Sequence, residues 1–322
     1  MITVHRLAVS AFVAATVFSA SVSAQQYPTQ PIRMVLPSPP GGGTDLLARI
    51  FQDGLVKTLG QPVLIDHRGG ASGRIAAALV AKSAPNGYTL FFTYGGVLTT
   101  GSPLFGQLPY DPVKDFSAVA MVAHVPGVLV AHPSFPPNNV AELIKLAKSK
   151  ELAYGSSSNG SSSHLNMELL KQMAGINMDK VAHNGDAPAL NALLGGHVLF
   201  AFSNVVAAAP HMKANKLKAL GVATPQRVPT IPDVPTIAES GLPGFEGILF
   251  YAIVGPAGIP NAITARLNNA VTQIKKDPKV SAELSRLGAI PMDMTPEELG
   301  RFIKSEIEKW TKVIKTGNID ID

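Results

Sequence analysis

Cysteine is absent from all 322 residues, which excludes a disulfide framework and a lipid-modified N-terminal cysteine. Charge is scarce as well: Asp, Glu, Lys and Arg make up 15% of the chain, and the formal net charge is only +5. No run of Lys or Arg gathers that excess. A thinly spread basic balance argues against nucleic acid, which needs a clustered basic face, and fits mild steering of a small anion. Aromatic residues stand at 6%, too few for a platform on which bases stack. Several diagnostic spacings are missing: G-x-G-x-x-G, a glycine loop followed by Gly-Lys-Ser/Thr, and Gly-x-Ser-x-Gly. Their absence removes the dinucleotide, nucleoside-triphosphate and esterase-elbow readings. His67, His124, His132, His164, His183, His197 and His211 make no i, i+4 pair, so no metal and no other cofactor is expected. No repeat of fixed period occurs.

Long apolar runs are missing too, with one exception at the start. His5 and Arg6 precede an apolar run over residues 7–20, and Val22-Ser23-Ala24 offers small residues before a cleavage point. This is the pattern of a secretory signal peptide over residues 1–24, too short and wrongly flanked for a membrane span. The mature chain is expected in an exported compartment, the periplasm. Its apolar content of 46% excludes disorder and supplies a large core.

The rest is organised by one recurring device: strand, glycine- or serine-rich turn, helix start. An apolar strand over residues 32–36 runs into Pro37-Ser38-Pro39-Pro40-Gly41-Gly42-Gly43-Thr44-Asp45, and a helix opens at Leu46. Glycines leave the backbone N–H groups uncovered. Thr44 or Asp45 is positioned to cap the helix, whose positive end then faces whatever sits above the strand. That geometry holds an anion without a charged side chain. A second glycine loop spans residues 68–73 and includes Ser72; a third loop, over residues 156–163, is rich in serine around Asn159 and leads into a helix over residues 164–173 with Leu165, Leu169 and Met173 on its apolar side. Each loop taken alone is also explained by a structural turn or a serine-rich surface loop.

Strands alternating with helices through short loops predict parallel, doubly wound sheets. Strands are expected at residues 63–67, 89–93, 116–122, 128–131, 197–202, 217–223 and 248–254. Helices are expected at 140–150, 187–194, 207–213, 261–274, 278–287 and 296–314. The last is announced by Thr295, Pro296 and Glu298, a capping box with proline at the first helical position. The chain is read as entering a second lobe near residue 127 and leaving it near 251. Lobe one is then residues 25–126 with 252–322, and lobe two is 127–251.

With these residues laid out, the chain resembles the solute-binding receptors of tripartite tricarboxylate transporters, the Bug family. The likeness covers nearly the whole mature chain. It includes Tyr27-Pro28-x-x-Pro31-Ile32-Arg33, Pro40-Gly41-Gly42-x-x-Asp45-x-x-Ala48-Arg49, Leu59-Gly60-Gln61, Arg68-x-Gly70-Ala71-x-Gly73 and Pro85-Asn86-Gly87-Tyr88-Thr89-Leu90. It continues through Leu108-Pro109-Tyr110-Asp111-Pro112-x-x-Asp115-Phe116, Glu142-Leu143-Ile144, Tyr154-x-Ser156, Gly160-Ser161-x-x-His164-Leu165 and Pro232-Asp233-Val234-Pro235-Thr236. The resemblance implies an α/β, two-lobed periplasmic-binding-protein fold of type II, each lobe a doubly wound sheet flanked by helices. It implies no enzymatic activity. The receptor would close over a small mono- or dicarboxylate, aliphatic or aromatic, and deliver it to the large and small subunits of a membrane permease, acting as a monomer.

Carried onto this chain, the family's ligand-holding loops point to Gly41, Gly42, Gly43, Thr44 and Asp45, and to Ser156, Ser158, Asn159, Ser161 and Ser162. Departures from the family pattern fall at Ser38, often aromatic; at His183-Asn184, often Tyr-Lys; at Ser203 beside Asn204, where an acid is usual; and at Phe250, usually Trp. The first three of these mark the expected pocket wall, and His183 and Asn184 are expected to set the ligand class. Two other readings stand beside this one: a receptor presenting its ligand to a membrane sensor, and an exported hydrolase using the serine-rich loop. The second lacks an ordered acid for its histidine.

Overall fold

The computed structural model describes residues 27–101, 104, 106–317 and 319; the expected signal peptide and its cleavage point lie outside them. Strand β1 (Ile32–Leu36) is followed by helix α1 (Gly43–Leu59), β2 (Val63–His67), a 3-10 turn (Ala71–Gly73), α2 (Arg74–Ala81), β3 (Thr89–Tyr94) and the short α3 (Gly95–Thr99). Ile32, Met34, Val35 and Leu36 are all fully buried, as a near-continuous apolar strand covered on both faces must be. Gly60 ends α1 in the left-handed conformation, φ 73°, with its N–H on the Val56 carbonyl.

The long strand β4 (Phe116–Ala131) carries the chain from one lobe into the other. Two separate strands were expected here; the structure has one. Its first part pairs with β9 (Ile248–Pro256), and from Gly127 onward it pairs with β7 (Phe200–Asn204) and β8 (Lys218–Val222). Pro126 falls at the changeover, where a missing N–H costs the ladders least. Between β4 and β7 come α4 (Val140–Ala147), β5 (Ala153–Ser156), α5 (Ser162–Ala174), β6 (Asp179–Ala182) and α6 (Asp186–Leu194), and α7 (Val205–Lys213) follows β7. After β9 the chain ends in α8 (Asn261–Lys276), α9 (Pro278–Leu287), the two-residue β10 (Ile290–Pro291) and α10 (Pro296–Gly317).

The sheet order is β2-β1-β3-β9-β4-β7-β5-β6, with β8 and β10 also on β4. The sheets are mixed, not wholly parallel. β1 runs parallel to β2 and β3, and β5 to β6 and β7, but β9 is antiparallel to both β3 and β4. The reason is the double crossing: the strand that returns from lobe two enters the lobe-one sheet from the opposite end. Helices cover both faces. One apolar layer, from Leu47 and Phe51 through Val125, Val128 and Val205 to Leu193, continues from one lobe into the other. Separate layers built on Phe91 and on Tyr154 close the remaining faces.

One local expectation differs from the structure and another is met. α5 buries Leu165, Met167 and Leu170, while Met173 is 36% exposed. The helix begins at Ser162, and its first turn is held by polar contacts, so the buried stripe is not the one its leucines alone mark out. The capping box before α10 forms as expected: Thr295 N–H donates to Glu298 at 2.8 Å and Glu298 N–H to the Thr295 hydroxyl at 3.2 Å. No helix among the described residues is long and apolar enough to cross a membrane.

Candidate functional site

The proline–glycine loop after β1 does something other than what its glycines announce. The N-cap of α1 is Gly42, with extended backbone and no side-chain cap, so neither Thr44 nor Asp45 caps the helix. Asp45 lies inside the first turn, 4% exposed. Its carboxylate accepts the Gly41 N–H at 3.0 Å and faces Arg49 Nε at 3.1 Å and His67 Nε2 at 3.3 Å. His67 reaches on to the Ser38 carbonyl, 2.9 Å from Nδ1. Asp45 therefore organises the loop from behind. The glycines admit lobe two: a β-carbon on Gly43 would come 2.4 Å from Asn204 Oδ1, and one on Gly42 would come 3.1 Å from Asp186 Cβ.

The serine-rich loop is likewise mostly engaged with itself. Ser161 is the N-cap of α5, accepting from His164 N–H at 3.3 Å, and its own hydroxyl donates to the Ser158 carbonyl at 2.7 Å. Ser156 donates to the same carbonyl at 3.0 Å. Ser163 accepts the Ser157 N–H at 2.9 Å. His164 Nδ1 accepts the Gly160 N–H at 3.1 Å. Burial, reinforced by Lys180, lowers the His164 pKa to about 4, so at neutral pH the ring is uncharged and its Nδ1 lone pair is free to accept. Ser162 faces away, beside Thr99, Thr100, Phe250 and Trp310. Hydroxyls held this way tie the turn to itself, while the His164 ring meets the Gly160 N–H and Glu168.

What remains between the lobes is a cavity of about 250 Å³. Lobe one contributes Pro37, Ser38, residues 70–74 and Tyr94; lobe two contributes Ser157, Ser158, Asn159 and residues 182–186. The wall at residues 70–73 is built from four consecutive positive φ values: 112° at Gly70, 45° at Ala71, 56° at Ser72 and 85° at Gly73. Ala71 and Ser72 pay a steric cost for this, and such strain collects where a loop is shaped around a ligand. Arg74 begins α2, half-buried in the wall, with Nε donating to the Ala71 carbonyl at 2.9 Å. Ser38 is 6% exposed, and its hydroxyl has no hydrogen-bond partner among the described residues. A buried hydroxyl left in that state is expensive unless something in the cavity meets it.

Across the cavity, His183 N–H donates to the Ser156 carbonyl at 2.9 Å, and Gly185 N–H donates to the Ser157 carbonyl at 2.7 Å. Asp186 opens α6. It accepts Asn204 Nδ2 at 3.0 Å and the Ser157 hydroxyl, and burial raises its pKa. The lobes are stitched together beside the cavity: Ser158 bonds the Tyr94 hydroxyl, and Thr100 donates to the Gly160 carbonyl at 2.7 Å.

Of the residues expected from sequence, Ser38, Ser72, Ser158, Asn159, His183 and Asn184 thus line one cavity, the first two from lobe one and the rest from lobe two. Gly41, Gly42, Gly43, Thr44, Asp45 and Asn204 lie at the seam behind it, outside the lining. Ser156 and Ser161 belong to the loop's internal network, and Ser203, whose hydroxyl donates to the Asn204 carbonyl at 3.4 Å, is also outside. Sequence reasoning missed Arg74, Tyr94, Ser157 and Asp186. Arg74 had a signal, as the first helical residue after the second glycine loop. Asp186 had one too, an acid at a helix start, which reads by default as an ordinary cap.

The family model described as tripartite tricarboxylate transporter family receptor matches residues 47–319. Protein BugT of Bordetella pertussis is 35% identical over 307 residues, 94% of each chain. Among solved structures, a protein of R. palustris with adipate superposes with a TM-score of 0.89 at 36% identity, covering 91% of this chain and 99% of that one. MatC from Rhodopseudomonas palustris, with bound malate, gives 0.85 at 35% identity, covering 89% and 100%. PhnD1 from Prochlorococcus marinus, at 14% identity and a TM-score of 0.58, shares the fold alone.

Proposed function

The chain belongs to the tripartite tricarboxylate transporter receptor family, and from that premise we propose that it captures a small mono- or dicarboxylate in the cavity between its lobes and hands it to a membrane permease. In this reading the protein is exported to the periplasm after cleavage behind Ala24. Lobe one is residues 25–126 with 252–322, lobe two is 127–251, and the two close about the paired strands near Gly127 and Tyr251. The carboxylate, aliphatic or aromatic (a benzene dicarboxylate included), meets the Arg74 guanidinium, the strained amides of residues 70–73 and the Ser38 hydroxyl. The observation that carries this is the cavity lining itself, where Arg74, its Nε held by the Ala71 carbonyl, and the buried Ser38 hydroxyl, which has no hydrogen-bond partner among the described residues, border the same space. Adipate and malate in the relatives' structures support the ligand class.

A thermal-shift screen of the mature chain against a carboxylate library tests it. A true ligand at 100 times its dissociation constant adds about 2.7 kcal/mol of stability, which moves the midpoint by several degrees. A screen in which no small carboxylate raises the midpoint, while the protein itself melts cooperatively, would overturn the reading.

A further inference from the structure

Three helix starts meet at the seam behind the cavity. Gly42 caps α1, Asp186 opens α6, and Asn204 caps α7 through its Oδ1 on the Ala207 N–H at 2.8 Å. Because Asn204 Oδ1 is committed as an acceptor, its Nδ2 is the group that faces Asp186 Oδ2 at 3.0 Å. A β-carbon on Gly42 would lie 3.9 Å from that same oxygen. Helix N-termini brought together in this way form a place for a negative charge. In this chain the charge is the protein's own.

The cavity inventory follows from that. Among the described lining residues the charged side chains are Arg74 from lobe one and Asp186 from lobe two, with His183 the remaining titratable heterocycle and Tyr94 the phenol. Asp186 accepts from Ser157 and Asn204 and makes no salt bridge among the described residues. Ser38 supplies an unpartnered, buried hydroxyl on the opposite wall. We propose that Asp186 occupies with its own carboxylate one of the negative positions of this cleft, so that the ligand presents a protonated nitrogen to Asp186 and its one carboxylate to Arg74. The ligand class is then a small zwitterion, an amino carboxylate. This rests on the receptor reading above and narrows it.

The chemistry is one of matched charges. A dicarboxylate brings its second carboxylate against Asp186 in a closed, poorly solvated space, where like charges oppose each other strongly. An ammonium in the same place pairs with the Asp186 carboxylate and offsets the burial that raises its pKa.

Calorimetry on the full mature chain decides between these, using pairs of equal length: succinate against γ-aminobutyrate, and adipate against ε-aminocaproate. The amino member of at least one pair is expected to bind about tenfold or more tighter than its dicarboxylate partner. Asp186→Ala, which keeps the helix start intact, is expected to reverse that order. Should Asp186→Ala lose its native circular dichroism, Asp186→Asn removes the same charge at nearly the same shape, and the wild-type comparison stands without either variant. Tighter dicarboxylate binding in both pairs, or an unchanged ratio in a folded Asp186 variant, would overturn the inference while leaving the receptor reading in place. If a wider carboxylate library also fails to bind the folded wild type, both fall together.

Discussion

At the scale of single residues, His164 connects the serine-rich turn to solution pH. The ring is 1% exposed, accepts the Gly160 N–H, and is faced by Glu168 on its own helix and by Lys171 and Lys180. Above pH 6.5 it is neutral whether the chain is folded or not. Between 6.5 and about 4 the unfolded chain takes up a proton that the native ring refuses, so stability falls across that window and the loss is complete below it. The differential is roughly 3 kcal/mol. His164→Asn keeps an acceptor near Nδ1 and does not titrate; its denaturant midpoint should fall less between pH 7 and 4.5 than the wild type's, and equal slopes would show that His164 charges freely in the native state. Arg74 is a separate case. Arg74→Gln should weaken carboxylate binding about tenfold to a hundredfold, the worth of a charge-assisted contact, with little change in melting temperature; calorimetry reads the first and thermal denaturation the second. These two residues also mark the limit of legibility at this scale. The serine-rich helix start was visible in the sequence because capping chemistry is local, and Ser161 does cap. Which of its hydroxyls turn inward, and that Asp186 and Arg74 line one cavity from opposite lobes, depends on distances across the lobes that no spacing along the chain encodes.

Among the elements, the helices were the more legible. α9 spans the expected residues 278–287, and α10 starts where the Thr295–Glu298 pair places it, since capping signals act within one turn. Strand directions were not legible: the antiparallel run of β9 follows from where the chain re-enters lobe one, a property of the whole path. The glycine loop was found by composition and misread in purpose, because a glycine that frees an amide and a glycine that makes room look alike in sequence. Gly43→Ala separates the two. Its methyl would meet the Asn204 side chain at 2.4 Å, so either Asn204 gives up its bonds to Ala207 and Asp186 or α1 and α7 part; the expected cost is about 1–3 kcal/mol of stability, as for other overpacked contacts. Ligand affinity should drop with it. Chemical denaturation and calorimetry on the same variant check both, and a variant as stable and as tight-binding as wild type would mean that this seam opens without penalty.

For the whole molecule, the proposed closure predicts a smaller radius of gyration by solution scattering at saturating ligand than without it; identical curves would count against a moving cleft. The sheet order carries a different consequence, for the time before the protein is folded. Residues 248–256 insert as β9 between β3 and β4, so the centre of lobe one is made of strands more than 150 residues apart in sequence. A chain that emerges N-terminus first can assemble β4, β5, β6, β7 and β8 early, while β3, with Leu90, Phe91 and Phe92 destined for full burial, waits with one hydrogen-bonding edge open. Late-arriving partners of this kind slow folding and leave an extended apolar segment exposed to aggregation or to chaperones. A chain stopped at Gly247 should therefore exchange amide hydrogens slowly across residues 200–222 and fast across 89–94, and it should associate at concentrations where the full chain stays monodisperse. By that path the strands between β4 and β8 would be finished at birth, and β3 would be the part that must be kept waiting.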